Sequence, residues 1–461
     1  MFYAYVLSDA RGRSDGWTLA SDAALSSHTC WRSQSRNWSL MICFFITCRK
    51  MSLRGMVAFA LLWAAAPLLH AQDSARELAG PAAVSSQLAA DEIDKPDLLG
   101  VDLQNDIDSW KTGVKERTGL TFGIDYTSLG LVATDSIGAS TAASGVFRGY
   151  GNWELFNRGK KNNGSLVFKF EHRHAYTDQA PGAFADELGY AGVTSVGFND
   201  QGFRATHLFW SQLFGGGRGA LNIGFLDTSD YVDVYPLASP WTRFTNNAFL
   251  NGSGAMGGIP DGALGAVVAG FLTDHLYLGG LIADANGDAT NLGDGFDSLV
   301  NDFETFKSLE LGWASSREEV ILNNAHVTLW QVDERSRAGT PDGWGISASI
   351  TTSADSGFTQ FLRAGWADDG DSPYEASLST GFDFTWNPGH SVFGVGLNWN
   401  RPNPSVYGTN LGDQYSLELF QHLQLTQEIA LTPSVQVIRN PALNATDDWS
   451  TFFGLRLRAA L

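Results

Sequence analysis

Cysteine is confined to the beginning of this chain. Cys30, Cys43 and Cys48 all precede Met51, and no further cysteine occurs in the 461 residues. The sequence after position 50 therefore has neither a disulfide framework nor a thiolate nucleophile.

Long apolar runs are missing after residue 71. A helix needs about 20 consecutive, mostly apolar residues to cross a bilayer, and no later stretch reaches that length. If this part of the chain spans a membrane, it must therefore do so as a β-barrel.

Positive charge is scarce as well. The chain has 30 basic and 49 acidic residues, a net charge of −19. Residues 1–71 hold 7 of the basic and 3 of the acidic residues, which leaves a net charge of −23 for the remainder. Because such a surface repels polyanions, we expect no nucleic acid partner.

The sequence after residue 71 also lacks the motifs of common enzymes. It contains no Gly-x-Ser-x-Gly elbow, no His-Glu-x-x-His pair and no phosphate-binding loop. The acidic turn at 284–288 lacks the glutamate of a calcium loop, because position 293 is glycine. We therefore expect no catalytic residue, no cofactor and no metal ion.

The beginning of the chain has the features of an export signal. Arg54 is followed by an apolar run over 57–69 and by Ala71, a small residue before a polar segment. This order predicts a signal peptide over 51–71, with Met51 as an alternative start and residues 1–50 as a non-native upstream extension.

Two different segments follow the signal. Residues 72–98 are rich in Ala, Ser, Asp and Glu without an apolar period, which predicts a flexible tail. Ile107, Trp110 and Val114 then recur at spacings of three and four, which predicts one short helix over 103–117. We interpret 72–118 as a periplasmic tail with a helix that either plugs a barrel mouth or lies beside it.

From residue 119 the apolar period changes to two, which is typical of strands separated by turns rich in Gly, Asn and Asp. This pattern predicts an all-β transmembrane antiparallel barrel over 119–461. Its sixteen predicted strands are 119–131, 145–155, 164–174, 205–214, 219–227, 263–273, 275–284, 306–314, 325–333, 343–351, 358–367, 376–386, 391–400, 414–425, 428–439 and 450–461.

The last strand shows why a barrel is favoured. Its apolar residues alternate with Arg456 and Arg458 and continue to Leu461. A barrel in lipid needs such a strand, because the last strand must pair with the first, here near Phe122 and Ile124. The long segments 177–204 and 228–261 are predicted as extracellular loops or as loops that fold inward and narrow the pore.

Several motifs resemble the OprB-type carbohydrate-selective porins of the Gram-negative outer membrane. They are Leu208-Phe209-Trp210, Gly224-Phe225-Leu226-Asp227, Phe361-Leu362-Arg363, Tyr415-Ser416-Leu417-Glu418, Leu431-Thr432-Pro433 with Asn440-Pro441, and Gly454-Leu455-Arg456. The likeness covers about residues 100–461 in the same order. It implies a multi-pass, sixteen-stranded outer-membrane barrel that passes mono- and oligosaccharides down their gradient, with outer-membrane lipid and the outer-membrane assembly machinery as partners. Porin-type barrels often form trimers, so a homotrimer is one of the oligomeric states that the sequence leaves open.

Polar-face residues of the predicted strands are the candidates for the sugar path, because a sugar channel needs hydroxyl-binding groups along a wet lumen. An arginine facing lipid would cost roughly 2–4 kcal/mol, so these side chains should point inward. Structural pairing across the lumen is the competing interpretation. The candidates are Lys169, Glu171, Arg173, Arg363, Asp383, Glu418, His422, Arg456 and Arg458.

Trp210 and Trp330 could stack on pyranose rings, although a position in an interfacial aromatic girdle is favoured for both. Two other functions stay open. The −23 charge would suit a general cation-preferring porin. The alternation of apolar and polar residues along the strands, taken alone, also fits an exported, soluble glycan-binding β-protein.

Overall fold

The computed structural model describes residues 78–93, 95, 105–386 and 391–461. All of them belong to one compact unit, Ala71–Leu461. The predicted extension 1–50, the signal peptide 51–71 and the three cysteines lie outside the described residues.

Sixteen strands of the described chain form a closed antiparallel barrel in which each strand pairs with its neighbours in sequence and the last pairs with the first. The predicted fold class is confirmed, and strand bounds agree within a few residues. The strands are β1 Leu120–Ala133, β2 Thr141–Phe156, β3 Gly164–Ala175, β4 Gly202–Phe214, β5 Gly219–Leu226, β6 Ala263–Phe271, β7 Leu276–Asp284, β8 Thr305–Ala314, β9 Asn324–Val332, β10 Gly343–Ser353, β11 Phe358–Ala367, β12 Tyr374–Trp386, β13 Ser391–Pro402, β14 Gln414–Gln424, β15 Ile429–Arg439 and β16 Trp449–Ala460.

The barrel closes where the sequence predicts. β1 and β16 pair in register from Asp125 with Ala460 to Ala133 with Phe452. Beyond this ladder, the N–H of Ile124 donates to the carbonyl of Leu461 at 3.0 Å, and the N–H of Leu461 donates back at 2.8 Å. The backbone of the last residue is therefore part of the seam.

Side chains alternate between a lumen face and an outer face. On β16, Phe453 and Leu455 are 50% and 53% exposed on the outer face, whereas Arg456 is 3% exposed on the lumen face. A surface of exposed leucines and phenylalanines is what hydrocarbon requires of a barrel wall, and the arginine avoids lipid by facing the lumen.

The two ends of the barrel differ. At the turn end, short segments such as 215–218, 272–275 and 425–428 join the strands, and the long segments 176–201 and 227–262 lie at the opposite, loop end. Both long segments fold into the lumen, which is the second of the two predicted alternatives, loops that fold inward. Their buried side chains include Phe184, Tyr190, Tyr235, Phe244 and Phe249.

Residues 227–262, hereafter the inner loop, fill the lumen with an aromatic cluster. The ring of Phe244 lies 4.8 Å from that of Phe249 and 5.0 Å from that of Phe420 on β14. The loop contains short 3-10 turns at Thr228–Asp230, Asn247–Phe249 and Asn251–Gly254. The other long segment has one at Pro181–Ala183, followed by a helix at Phe184–Leu188.

The described helices are α1 Val84–Asp91, α2 Asn105–Thr118, α3 Phe184–Leu188, α4 Leu292–Asn301 and α5 Pro404–Tyr407. None of them is long and apolar enough to cross a membrane. The predicted helix over 103–117 corresponds to α2. It lies beside the barrel, because the Trp110 ring contacts the edge of the outward-facing Phe122 at 5.6 Å.

Helix α1 corrects the prediction of a structureless tail over 72–98. Val84 and Leu88, four residues apart, share one helix face and are buried inside the barrel. Local sequence signals for this helix are weak, since only these two positions are apolar and large, and its N-cap Ala83 makes no side-chain hydrogen bond. Tertiary packing rather than local propensity explains the helix.

Candidate functional site in the barrel lumen

All nine predicted charged candidates lie on the lumen face of their strands. Eight of them are less than a tenth exposed: Lys169, Glu171, Arg173, Arg363, Asp383, Glu418, His422 and Arg456. The ninth, Arg458, has 13% of its side chain exposed. They do not converge on one point but form separate clusters, each of which also contains residues that the sequence did not single out.

The first cluster lies at the seam of the barrel. Asp125 on β1 accepts hydrogen bonds from Arg148 Nε on β2 at 2.8 Å and from Arg458 Nε on β16 at 2.9 Å. The Arg148 guanidinium also lies 4.0 Å from the ring centre of Trp241 in the inner loop. One carboxylate thus joins three adjacent strands, and a cation–π contact adds the loop.

The second cluster is centred on Asp233 of the inner loop. Its carboxylate forms an ion pair with Arg363 on β11, lies 2.9 Å from His326 Nε2 on β9 and accepts from the backbone N–H of Gly252. Arg363 donates further to the Leu250 carbonyl at 2.6 Å and stacks 4.0 Å over Tyr235. The backbone of Asp233 is left-handed, with φ 50°, a conformation that Asp tolerates better than most residues.

The third cluster fixes the other side of the inner loop. Glu418 on β14 accepts from the backbone N–H groups of Thr245 at 2.9 Å and Asn246 at 3.0 Å. Arg456 on β16 donates to the Pro240 carbonyl at 2.6 Å. Two predicted path residues are therefore engaged with loop backbone.

Asp383 and His422 also have partners. Asp383 accepts from Arg243 Nε of the inner loop at 3.2 Å, and His422 Nδ1 lies 2.9 Å from Thr432 Oγ1 on β15. Both contacts stay within the lumen, as their polar-face positions predict.

The fourth cluster lies where β3 and β4 meet the first turn of the inner loop. Lys169 pairs with Asp230 at 3.0 Å, and His207 Nε2 lies 3.1 Å from the same carboxylate. The pKa of Asp230 stays below its usual value despite burial, because Lys169 lies beside it. Burial and the neighbouring Asp230 carboxylate instead raise the pKa of Asp227 to about 7.

The remaining two candidates pair with one another. Arg173 Nε donates to Glu171 at 2.8 Å on the same strand, and Arg204 on β4 lies 3.6 Å from Glu171. Arg204 also pairs at 2.5 Å with Asp261 at the end of the inner loop.

Asp227 should give the barrel a measurable pH dependence. The unfolded carboxyl titrates near 3.8 and the folded one near 7, so between these values only the folded chain holds this proton. Asp227 therefore stabilises the folded form fully below about pH 4, and this contribution falls by at most about 1.4 kcal/mol per pH unit as pH rises to 7. Urea unfolding in micelles from pH 4.5 to 8 should show that slope relative to Asp227→Asn, which keeps the bond to Ser229 N. If the free energy of unfolding changes with pH in the same way for the unchanged chain and for Asp227→Asn, the predicted contribution of Asp227 is contradicted.

The predicted tryptophans lie on opposite faces. Trp210 is 37% exposed on the outer face of β4, so it does not face a solute in the lumen, and its place in an interfacial girdle stays a prediction. Trp330 is 2% exposed on the lumen face of β9 and stacks on Phe306, with ring centres 6.4 Å apart. The girdle interpretation is wrong for Trp330, but its ring is covered by Phe306 rather than open to the lumen.

A small cavity lies between the inner loop and the wall formed by β6 to β9. Its volume is about 20 Å³, and its lining includes Tyr231, Tyr277, Glu310 and Asn324. Glu310 accepts from Tyr277 Oη at 3.0 Å and Thr328 Oγ1 at 2.8 Å. Glu310 is not among the predicted site residues, although its alternation with the outward Leu309 and Leu311 on β8 places it in the lumen.

Comparison with known proteins agrees with this architecture. Residues 323–461 match the sequence model of the family described as carbohydrate-selective porin, OprB family, which confirms the predicted resemblance over that part of the chain. No curated relative matches the chain.

Among solved structures, the high-pH structure of Pseudomonas putida OprB aligns with a TM-score of 0.61 at 14% identity, over 77% of this chain and 97% of that one. Its low-pH structure gives 0.45 at 11% identity, covering 78% and 98%. A mutant porin of Rh. blastica gives 0.44 at 11% identity, covering 74% and 100%. The first of these likenesses shows a shared barrel fold.

Proposed function

Because residues 323–461 match the carbohydrate-selective porin, OprB family, we propose that this chain is an outer-membrane channel through which sugars diffuse passively. The observation that carries this function is a closed barrel that is apolar outside and lined with paired charges inside. Such a wall can stand in lipid while its lumen stays wet. In this proposal the protein transports sugars without catalysing a reaction and without a cofactor.

The outer face supports a place in the outer membrane of a Gram-negative bacterium. Large apolar side chains exposed on neighbouring strands, such as Leu309 and Leu311 on β8 and Val327 and Leu329 on β9, form a continuous surface. A monomeric soluble protein seldom exposes so much contiguous apolar area, which disfavours the soluble glycan-binding alternative. In this proposal the turn end faces the periplasm, and lipid and the barrel-assembly machinery contact the outer face.

The lumen chemistry suits sugars better than a simple cation filter. Eight of the lumen residues described above are basic, and each lies beside a carboxylate or a loop carbonyl: Arg148, Lys169, Arg173, Arg204, Arg243, Arg363, Arg456 and Arg458. Because basic and acidic side chains are paired there, the net charge of −19 does not describe the lumen wall. Arg243 and Arg458, whose side chains are 24% and 13% exposed, can exchange single hydrogen bonds with passing hydroxyl groups, a contact weak enough to permit release.

Liposome swelling and planar-bilayer recordings test the function. We expect reconstituted protein to let glucose and maltose enter liposomes and to show conductance steps that these sugars reduce. Conductance without any effect of sugar, together with a cation-selective reversal potential in a salt gradient, would instead show the general cation-preferring porin. Recovery of the protein only in the soluble periplasmic fraction would reject the membrane channel altogether.

A further inference from the structure

The segment 78–93 lies inside the barrel and crosses its lumen near the turn end. Leu78 borders the cavity and packs beside Tyr277, Ala314 and Val320, where β7, β8 and the turn before β9 come together. Farther along, α1 packs against β1, β2 and β3 on a different part of the wall. This stretch therefore reaches from one side of the lumen to another.

Specific bonds hold the segment along this path. The N–H of Gly80 donates to the Asp230 carbonyl of the inner loop at 2.7 Å. Asp91, at the end of α1, accepts from Tyr150 Oη at 2.5 Å and lies 3.6 Å from Arg458. Just beyond it, the N–H of Lys95 donates to Gln427 in the turn between β14 and β15 at 2.9 Å.

The cavity beside the beginning of the segment is too small for a sugar. Ala79 and Ala83 are fully buried, and Val84 and Leu88 belong to the same packed cluster as Tyr150 and Phe209 of the wall. The cavity bordered by Leu78 has a volume of about 20 Å³, which is room for about one water molecule. A sugar ring can enter that place only after the segment has moved.

The segment is also held weakly enough to leave the lumen. It joins the wall through one short helix with two large apolar side chains and through a few polar contacts, whereas every barrel strand is held by two hydrogen-bonded ladders. A helix of eight residues does not persist on its own in water, so release and unfolding of α1 would occur together.

We propose that residues 78–93 are a plug that closes the turn end of the lumen, and that sugar passes only while this plug is displaced. This inference rests on the proposed function as a sugar channel. The plug is an autoinhibitory segment of the chain itself, and its position makes opening depend on the contacts of Gly80, Val84, Leu88 and Asp91.

A reversible disulfide can lock the plug. A Cβ placed on Gly80 would lie 3.5 Å from the Cβ of Val234, at the short end of the range for disulfides. Gly80→Cys/Val234→Cys, in a chain whose Cys30, Cys43 and Cys48 are replaced by Ser, would contain only this thiol pair. We expect glucose entry into liposomes to fall to the level of empty liposomes when the pair is oxidised and to return after dithiothreitol. Each single-cysteine variant should be indifferent to the reductant.

A second variant acts in the opposite direction and does not depend on disulfide formation. Val84→Asp/Leu88→Asp puts two charges into the buried face of α1, so the plug should leave the lumen and glucose entry should exceed that of the unchanged chain. Heat-modifiable gel mobility confirms that the barrel itself is folded in each variant.

The outcomes separate the plug from the channel. If the oxidised pair passes glucose as fast as the reduced pair, the plug is refuted and the channel function stands. If no variant passes sugar, including the one whose plug carries two charges, the sugar channel is refuted together with the plug that depends on it.

Discussion

Asp233→Asn is expected to release the inner loop from the barrel wall and to lower the free energy of unfolding by about 3–5 kcal/mol. Asp233 forms an ion pair with Arg363 and a hydrogen bond with His326, and all three side chains are buried. Asparagine keeps the shape and tolerates the left-handed backbone of this position, but it removes the charge. The Arg363 guanidinium is then left in the wall without a carboxylate, which is the costly part of the change.

Urea unfolding in micelles measures the loss of stability, and protease cleavage within 227–262 measures release of the loop. Asp274→Asn is the matched control, because Asp274 pairs with Arg218 in an exposed turn at 3.3 Å. An exposed pair of this kind contributes less than about 1 kcal/mol. Equal losses for the two variants, or a loop that stays resistant in Asp233→Asn, would show that Asp233 does not anchor the loop.

The wall of the barrel could be predicted from sequence because it obeys a local rule. Along a strand, every second residue faces the same medium. The apolar Phe453 and Leu455 therefore indicate the lipid-facing side of the strand, and Arg456 indicates the lumen side. The seam at Ile124 and Leu461 follows from the same logic, since a barrel in lipid leaves no open edge.

The content of the lumen could not be predicted in the same way. Asp233 finds Arg363 across 130 residues, and Glu418 finds Thr245 across 173, so no local pattern reports these partners. Helix α1 could not be predicted for the same reason. Val84 and Leu88 are buried by packing against the wall around Tyr150, and that wall is distant in sequence. Alternation along the strands places the charged candidates on the lumen face, but their tight pairing with loop and wall depends on the three-dimensional fold.

Asp125→Asn is expected to weaken the closure of the barrel by about 3–5 kcal/mol, because one change leaves both Arg148 and Arg458 without their shared carboxylate. The contacts lie across the β1–β2 and β1–β16 pairings, so the loss falls on the seam itself. We expect a lower urea midpoint and a smaller folded fraction on heat-modifiable gels.

A double-mutant cycle with Arg458→Met shows where the penalty arises. Arg458→Met alone should cost less than Asp125→Asn, since Asp125 still pairs with the fully buried Arg148 and Arg458 is the more exposed arginine. In Asp125→Asn/Arg458→Met, the guanidinium that Asp125→Asn leaves with only the more distant Asp91, 3.6 Å away, has been removed. The double variant should therefore be more stable than the sum of the two single losses predicts. Strict additivity would mean that Asp125 and Arg458 act independently. In that case the seam would be held by the backbone ladder from Ile124 to Ala133 alone, and the buried carboxylate would serve the lumen rather than the closure.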